Sequence, residues 1–302
     1  MRRVFVAADG RVRSGWVVLV FALVAGLVTG GLNFGVTLLI GNELGELDDP
    51  RAAFFTWPTL LGALAATLVC RSAFQEEVGL TLERAAPRVA WGVVAGLGIV
   101  ALACVVPALV GATSLGWGGA SLPRLLLVTL VHAFAVAPTG IAEELLLRGV
   151  PLRALSRGTH PAVAVALTGL VFGALHLTNP NASVVAALNV ALVGVWFGAV
   201  AVRTGSLWMC FGLHVAWNFA EGVVFGQPVS GIPPGVSVLA GSWPPRAGFW
   251  SGGAFGPEAA GWTAVLLALA IVATLVWRPA RAPRGEAATG GAGCPPTPPP
   301  SP

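Results

Sequence analysis

The chain has 302 residues, of which 56% are hydrophobic and only 10% charged, where a soluble domain carries roughly a quarter charged residues. Too little polar surface is left to coat a water-soluble particle, which excludes a soluble enzyme or scaffold of this length. The net charge is +4, and the basic residues are arginines standing singly at the ends of apolar runs, a placement that reads as membrane topology rather than as the clustered basic face of a nucleic-acid binder.

The runs follow one another closely. Arg2, Arg3, Arg11 and Arg13 precede a first run from Trp16 to Ile40, too long for a cleavable signal and expected to be a retained anchor. An acidic stretch follows with Glu43, Glu46, Asp48 and Asp49, then a second run from about Phe54 to Val69. A charged connection, Arg71 to Arg88, leads to a third run ending near Val110, and an uncharged one, Gly111 to Pro123, leads to the next. The fourth run begins near Leu125, continues past Ala142 and enters a stretch with Glu143, Glu144 and Arg148, backed by Arg153 and Arg157. The fifth covers Pro161 to about Leu177, the sixth Ser183 to Val202, and the seventh Ser206 to Phe225. A Gly- and Pro-rich loop, Gly226 to Pro257, separates these from a last run, Ala259 to Trp277. The tail beyond Arg278, rich in Pro, Gly and Ala, reads as disordered.

Runs of about 20 residues cross a hydrocarbon core of roughly 30 Å as helix, and lipid offers an unpaired backbone no other partner. The expected fold class is therefore all-α, a polytopic transmembrane helical bundle of about eight spans. An inside N-terminus puts the acidic first loop outside and the arginines at 71, 84, 88, 148, 153, 157, 203, 278, 281 and 284 inside, with Arg246, the one arginine of the long seventh loop, outside. The expected location is thus the cell membrane, multi-pass, with both termini cytoplasmic. The segments are residues 1–15 as N-terminus, 16–277 as bundle and 278–302 as tail. Cys70, Cys104, Cys210 and Cys294 show no paired spacing, which argues against a metal knuckle or a disulfide framework, and three of them read as small packing residues. The eleven tryptophans fall mostly near span ends, as an aromatic belt requires.

Charge within a span costs about 2.5–3.5 kcal/mol on insertion scales, so ionisable residues there mark candidate sites. Glu143 and Glu144 stand together in the fourth span. Glu144 and Arg148 are four apart and can pair on one helix face, which leaves Glu143 without a structural role. Phe172 and His176 are spaced alike in the fifth span. His214 and Asn218 share a face of the seventh, about 6 Å apart along the axis, with Glu221 close to that face two turns on. Each group has a bland reading, as a helix-end ion pair, a packing histidine or a polar seam between helices. Together they can converge only in a bundle interior. There they could activate water with a carboxylate, polarise with imidazoles and bind an oxyanion with an amide, or offer two histidines and a glutamate to a metal with an open position. His132 reads as a packing or pore-lining residue and His160 as solvent-exposed in a cytoplasmic turn.

The ordered set Glu-Glu-x-x-x-Arg, Phe-x-x-x-His and His-x-x-x-Asn on successive spans resembles the CPBP family of intramembrane proteases, which includes the CAAX prenyl endopeptidases and the Abi-type, bacteriocin-immunity-associated proteins. The resemblance covers about residues 125–225, with Leu147 where an aromatic is common. It implies that Glu143 is the general base on water, assisted by His176. His214 and Asn218 would stabilise the oxyanion, and Glu144 and Arg148 would orient the site. It leaves two cofactor readings open: zinc or another divalent metal on Glu143, His176 and His214, or a metal-free glutamate mechanism. The implied partners are membrane lipid and a membrane-anchored or lipidated peptide or protein substrate, with no nucleic acid. A non-catalytic immunity or scaffold protein of the same fold and a proton-coupled carrier are the alternatives. One difficulty stands: Glu143 lies about 8 Å from Arg148 along its helix, while His176 lies about 22 Å from Pro161. The depths agree only if the fourth helix stays embedded to about Arg153, past Pro151, or is kinked or tilted, with Pro138 as the source of a kink.

Overall fold

The computed structural model describes residues 2–7, 9–41, 50–244 and 248–277. The acidic stretch Glu43 to Asp49, Arg246, and the tail with Arg278, Arg281, Arg284 and Cys294 lie outside the described residues. After a short turn, α1 (Arg2–Phe5), the apolar runs fold as helices: α2 (Ser14–Ile40), α3 (Ala52–Phe74) and α4 (Ala85–Leu109). The fourth run is jointed. α5 (Leu122–Val131) passes through a π-turn at His132–Val136 into α6 (Ala137–Arg148), and Gly149 separates that from α7 (Val150–Gly158). Then come α8 (Pro161–Leu175), α9 (Val184–Thr204), α10 (Trp208–Phe219) with a second π-turn at Ala220–Val224, and α11 (Gly261–Val276).

This is a polytopic helical membrane bundle. Six helical stretches among the described residues are long and apolar enough to cross a membrane, α5 through α7 counting as one of 37 residues. The expectation of about eight spans needs qualifying at α10 and α11. α11 has 16 residues and α10 with its π-turn has 17, both just short of the 18 or more of the six longer stretches.

The fourth run is kinked, one of the two conditions set for the depths to agree: helical chain extends past Pro151 to Gly158, but only after a break at Gly149. The irregularity falls beside Pro138, as its chemistry demands. Proline has no N–H for the carbonyl four residues back, and its ring crowds that carbonyl. Here the freed oxygen is that of Phe134, and the Trp57 indole of α3 donates to it at 3.0 Å. The chain absorbs the misfit by widening one turn, with Ala137 N–H donating to the His132 carbonyl.

Two apolar clusters build the bundle. One surrounds α9, with Phe172, Val190, Trp196, Phe197, Leu213 and Trp217. The other joins the α2–α3 hairpin to α6 and α7 through Phe21, Leu60, Ala66 and Leu145. Trp196 and Trp217 are therefore core residues, which corrects the belt reading for these two. Cys70, Cys104 and Cys210 are buried free thiols, in keeping with packing roles. His132 packs edge-on against Phe219, and exposed His160 caps α8 by accepting from the Ala162 N–H.

One end of the bundle is held by arginines. Arg153 donates to the Gly205 carbonyl at 2.8 Å and Arg157 to Glu76 at 2.6 Å. At the opposite end, residues 226–244 and 248–260 of the Gly- and Pro-rich loop fold into a largely buried plug. The uncharged connection after α4 forms β1 (Ser114–Trp117), which pairs antiparallel with β2 (Leu239–Ser242) within the plug. Gly256 shows why glycine is used there. Its φ is 109°, and a Cβ would strike the Pro228 carbonyl, so the residue allows two backbones to touch.

Candidate active site

α6 carries the acids. Glu144 is fully buried, and its Oε1 accepts from Arg148 Nη1 at 3.0 Å and faces His214 Nδ1 at 3.0 Å. Arg148, also fully buried, spends its other terminal nitrogen on the Gly194 carbonyl of α9 at 3.1 Å. Its guanidinium lies over the Phe172 ring, 4.5 Å from the centroid. A buried pair of this kind is held by its geometry, because either partner alone would be an uncompensated charge. The helix spacing of four, read in the sequence as a pair, is thus realised between α6, α9 and α10.

Glu143 differs from its neighbour. Its side chain is 27% exposed against 0% for Glu144, and its Oε2 faces His214 Nε2 at 3.6 Å. His214 therefore stands between two adjacent carboxylates, one on each ring nitrogen. Gly140 makes the fit: a Cβ there would come within 3.2 Å of the His214 ring carbons. Asn218, one turn along α10, is buried beside it and makes no side-chain hydrogen bond among the described residues.

His176 joins this group at one remove. Its Nδ1 lies 2.8 Å from the Phe172 carbonyl, which can only accept, so Nδ1 carries the hydrogen and Nε2 is left open. The Phe172 ring stands beside both imidazoles, 4.6 Å from His176 and 6.0 Å from His214. Those rings do not converge with Glu143 as three ligands on one point. Among the described residues no group of three His, Cys, Asp or Glu side chains could hold an ion. Glu143, His176 and His214 are thus not gathered here as a set of three ligands, and the Phe172 ring sits beside both imidazoles.

Glu221, expected near the His214 face, is fully buried in the π-turn that ends α10, with neither carboxyl oxygen hydrogen-bonded among the described residues. Another buried acid had no signal in the spacing of the motifs. Glu258 belongs to the plug, and its Oε2 accepts from the Ser230 hydroxyl at 2.6 Å. Its backbone carbonyl, with that of Ala260, accepts from the Asn189 amide of α9, each at 2.9 Å. Burial pushes the Glu258 carboxyl up, while the Ser230 hydroxyl and the charges of His176 and His214 act the other way. Its only sequence cue is a charge at the head of an apolar run, which reads as an ordinary span boundary.

Comparison with curated proteins and with solved structures gives no significant match. A family model does match, over residues 123–220, about a third of the chain: type II CAAX prenyl endopeptidase, Rce1-like. The matched stretch opens at α5, closes at the π-turn after α10, and contains Glu143, Glu144, Arg148, His176, His214 and Asn218. Over that segment the chain is similar to the Rce1-like type II CAAX prenyl endopeptidase family, in line with the resemblance its three motifs carry.

Proposed function

We propose that this chain is an intramembrane endopeptidase that hydrolyses a peptide bond in a membrane-associated or lipidated substrate, using water activated by Glu143. The observation that carries the reading is the division between the adjacent acids. Glu144 is sealed and committed to Arg148 and His214, whereas Glu143 is accessible and opposes the other nitrogen of the same ring.

The chemistry follows from charge. Glu144, paired with Arg148, is an acceptor only, so His214 Nδ1 carries a hydrogen. With both glutamates and Arg148 ionised the cluster has one negative charge in excess, which a buried site resists. A proton on His214 Nε2 balances it and leaves Glu143 as a free carboxylate. Glu143 then takes a proton from water as the water oxygen bonds to the scissile carbonyl carbon. The carbonyl oxygen becomes an oxyanion that accepts from His214 Nε2–H and the Asn218 amide. As the C–N bond breaks, the proton held at Glu143, or passed to His176 Nε2, goes to the leaving nitrogen, giving one acid and one amine. No step here calls for a metal.

The arginine end is assigned to the cytoplasm of a cell-membrane protein, supported by the arginine distribution along the chain. The test is cleavage of a mixed peptide library with lipid-tailed members by the protein in nanodiscs, beside Glu143→Gln and with a chelator. Products from the parent alone, unchanged by chelator, are expected. Equal products from both proteins, or none from either, would overturn the reading, and the second result favours a binding-only immunity or scaffold protein.

A further inference from the structure

The face of α10 that carries His214 and Asn218 continues past the active site. Residues 214, 218 and 221 follow at helical spacing, which sets Glu221 about 10 Å along the axis from His214, with Asn218 between them. Trp217, one turn before Glu221, is 1% exposed and Glu221 0%. The indole Nε1 and both carboxyl oxygens make no hydrogen bond among the described residues, to each other included. Trp196, also buried, is different: its Nε1 donates to the Thr274 hydroxyl at 3.1 Å. Beyond Glu221 the seam meets the plug. The Gln227 N–H donates to the Glu221 carbonyl at 2.8 Å, and Gln227 also lines a small cavity between α4 and the plug, with Cys104, Thr113, Trp243 and Ser251. The space it offers to water centres is about 20 Å³, more than one water requires.

Buried polar atoms without a protein partner forfeit their hydration unless water stays with them. A seam of such atoms running from a polar cavity to a hydrolytic centre is placed to carry the reagent that hydrolysis consumes. Lipid tails supply no water, and Glu143 is exposed on the α6 face it shares with the partly exposed Thr139 and Leu146, a face that substrate must cover. We propose that Glu221, Trp217 and Gln227 form a water-binding site at the head of this seam, filled from the plug cavity, which returns water to the Glu143–His214 cleft while substrate occupies it. The supply role rests on the proteolytic reading; the water site itself does not. Glu221 and Gln227 lie beyond the matched residues 123–220, so the site is completed by chain that the family match does not reach.

Two measurements on the full chain in nanodiscs decide the matter. The first is X-ray hydroxyl-radical labelling read by mass spectrometry, because radiolysis of bound water oxidises the side chains that touch it even where bulk solvent does not reach. Trp217 should label about fivefold or more faster than the comparably buried Trp196. Glu221→Leu, which puts apolar bulk in place of the acid, should bring Trp217 down to the Trp196 rate, while Glu221→Gln keeps it high. The second uses the library peptide that the parent cuts best: Glu221→Leu should lower kcat about tenfold with KM little changed, and Glu221→Gln should restore most of the loss. A Trp217 rate no higher than that of Trp196 in the parent, or unchanged in folded Glu221→Leu, would overturn the water site. Parental kcat in a Glu221→Leu protein whose Trp217 no longer labels would overturn the supply role. Should Glu221→Leu fail to fold, Ala103→Leu, which narrows the cavity from α4, decides. After mixing into heavy-oxygen water, the isotope should reach oxidised Trp217 later in that variant than in the parent, and equal times would overturn the proposal. A parent that cuts no peptide would sink the proteolytic reading, while the labelling rates would still test the water site.

Discussion

α2 and α9 are apolar helices of equal mean hydropathy, yet 17% of the most apolar window of α2 is buried within the bundle against 67% for α9. Hydropathy measures the solvent a helix tolerates and does not distinguish lipid from protein. What separates the two is what their small and polar residues meet. Gly26, Gly30, Gly31 and Gly35 of α2 have nothing near a would-be Cβ, whereas a Cβ on Gly194 of α9 would come within 2.8 Å of Gly169 and 3.1 Å of Arg148. Without a hydrophobic drive between spans, close packing of this kind and interhelical hydrogen bonds hold a membrane bundle together. α9 therefore carries the load of the site, and the distal half of α2 faces outward.

Substitutions sharpen that contrast. The largest effect is expected at Glu143→Gln, a fall in peptide cleavage of about 10²–10⁴-fold, measured beside Asn33→Ala in α2, which should leave cleavage near the parental rate. Arg148→Ala comes next: it strips the Gly194 carbonyl and strands Glu144, at a cost of about 3–5 kcal/mol, visible as loss of folded protein during thermal unfolding in detergent. Asn218→Ala should reduce kcat about 10²-fold while leaving the melting temperature in place, which separates an oxyanion donor from a packing residue. The smallest effect tests the contrast most directly. Gly194→Ala should destabilise by about 1–3 kcal/mol, and Gly30→Ala by no more than about 0.5 kcal/mol. Equal melting temperatures for these two glycine variants would break the comparison.

The same contrast explains what the sequence could convey. Apolar runs gave the helices to within a few residues, because each is governed by a local rule of length and composition. Glu144 and Arg148 were legible as a pair because their spacing is itself the contact. His214 and Glu144 were legible only as members of separate motifs, since they stand 70 positions apart and no periodicity links them. Phe172, named only as the partner of His176 in its motif, sits beside both histidines and under Arg148, a position no spacing could convey. The packing of the Gly- and Pro-rich loop was not legible, because glycines there admit close backbone contact that composition alone does not reveal. Glu258 was not legible either, because an acid supplied by irregular chain has no period to reveal it.

The joints in the fourth run have a mechanical consequence. α6, about 18 Å long, lies between the π-turn ahead of Pro138 and the break at Gly149. It is a short link between two joints rather than part of one continuous rod, and its orientation, which presents both Glu143 and Glu144 to His214, is fixed by lateral stays. Trp57 of α3 grips the upper joint itself at the Phe134 carbonyl, and Arg148 grips α9 from within the link. The α2–α3 hairpin, which contributes no acid or imidazole to the site, thereby braces the segment that presents the acids.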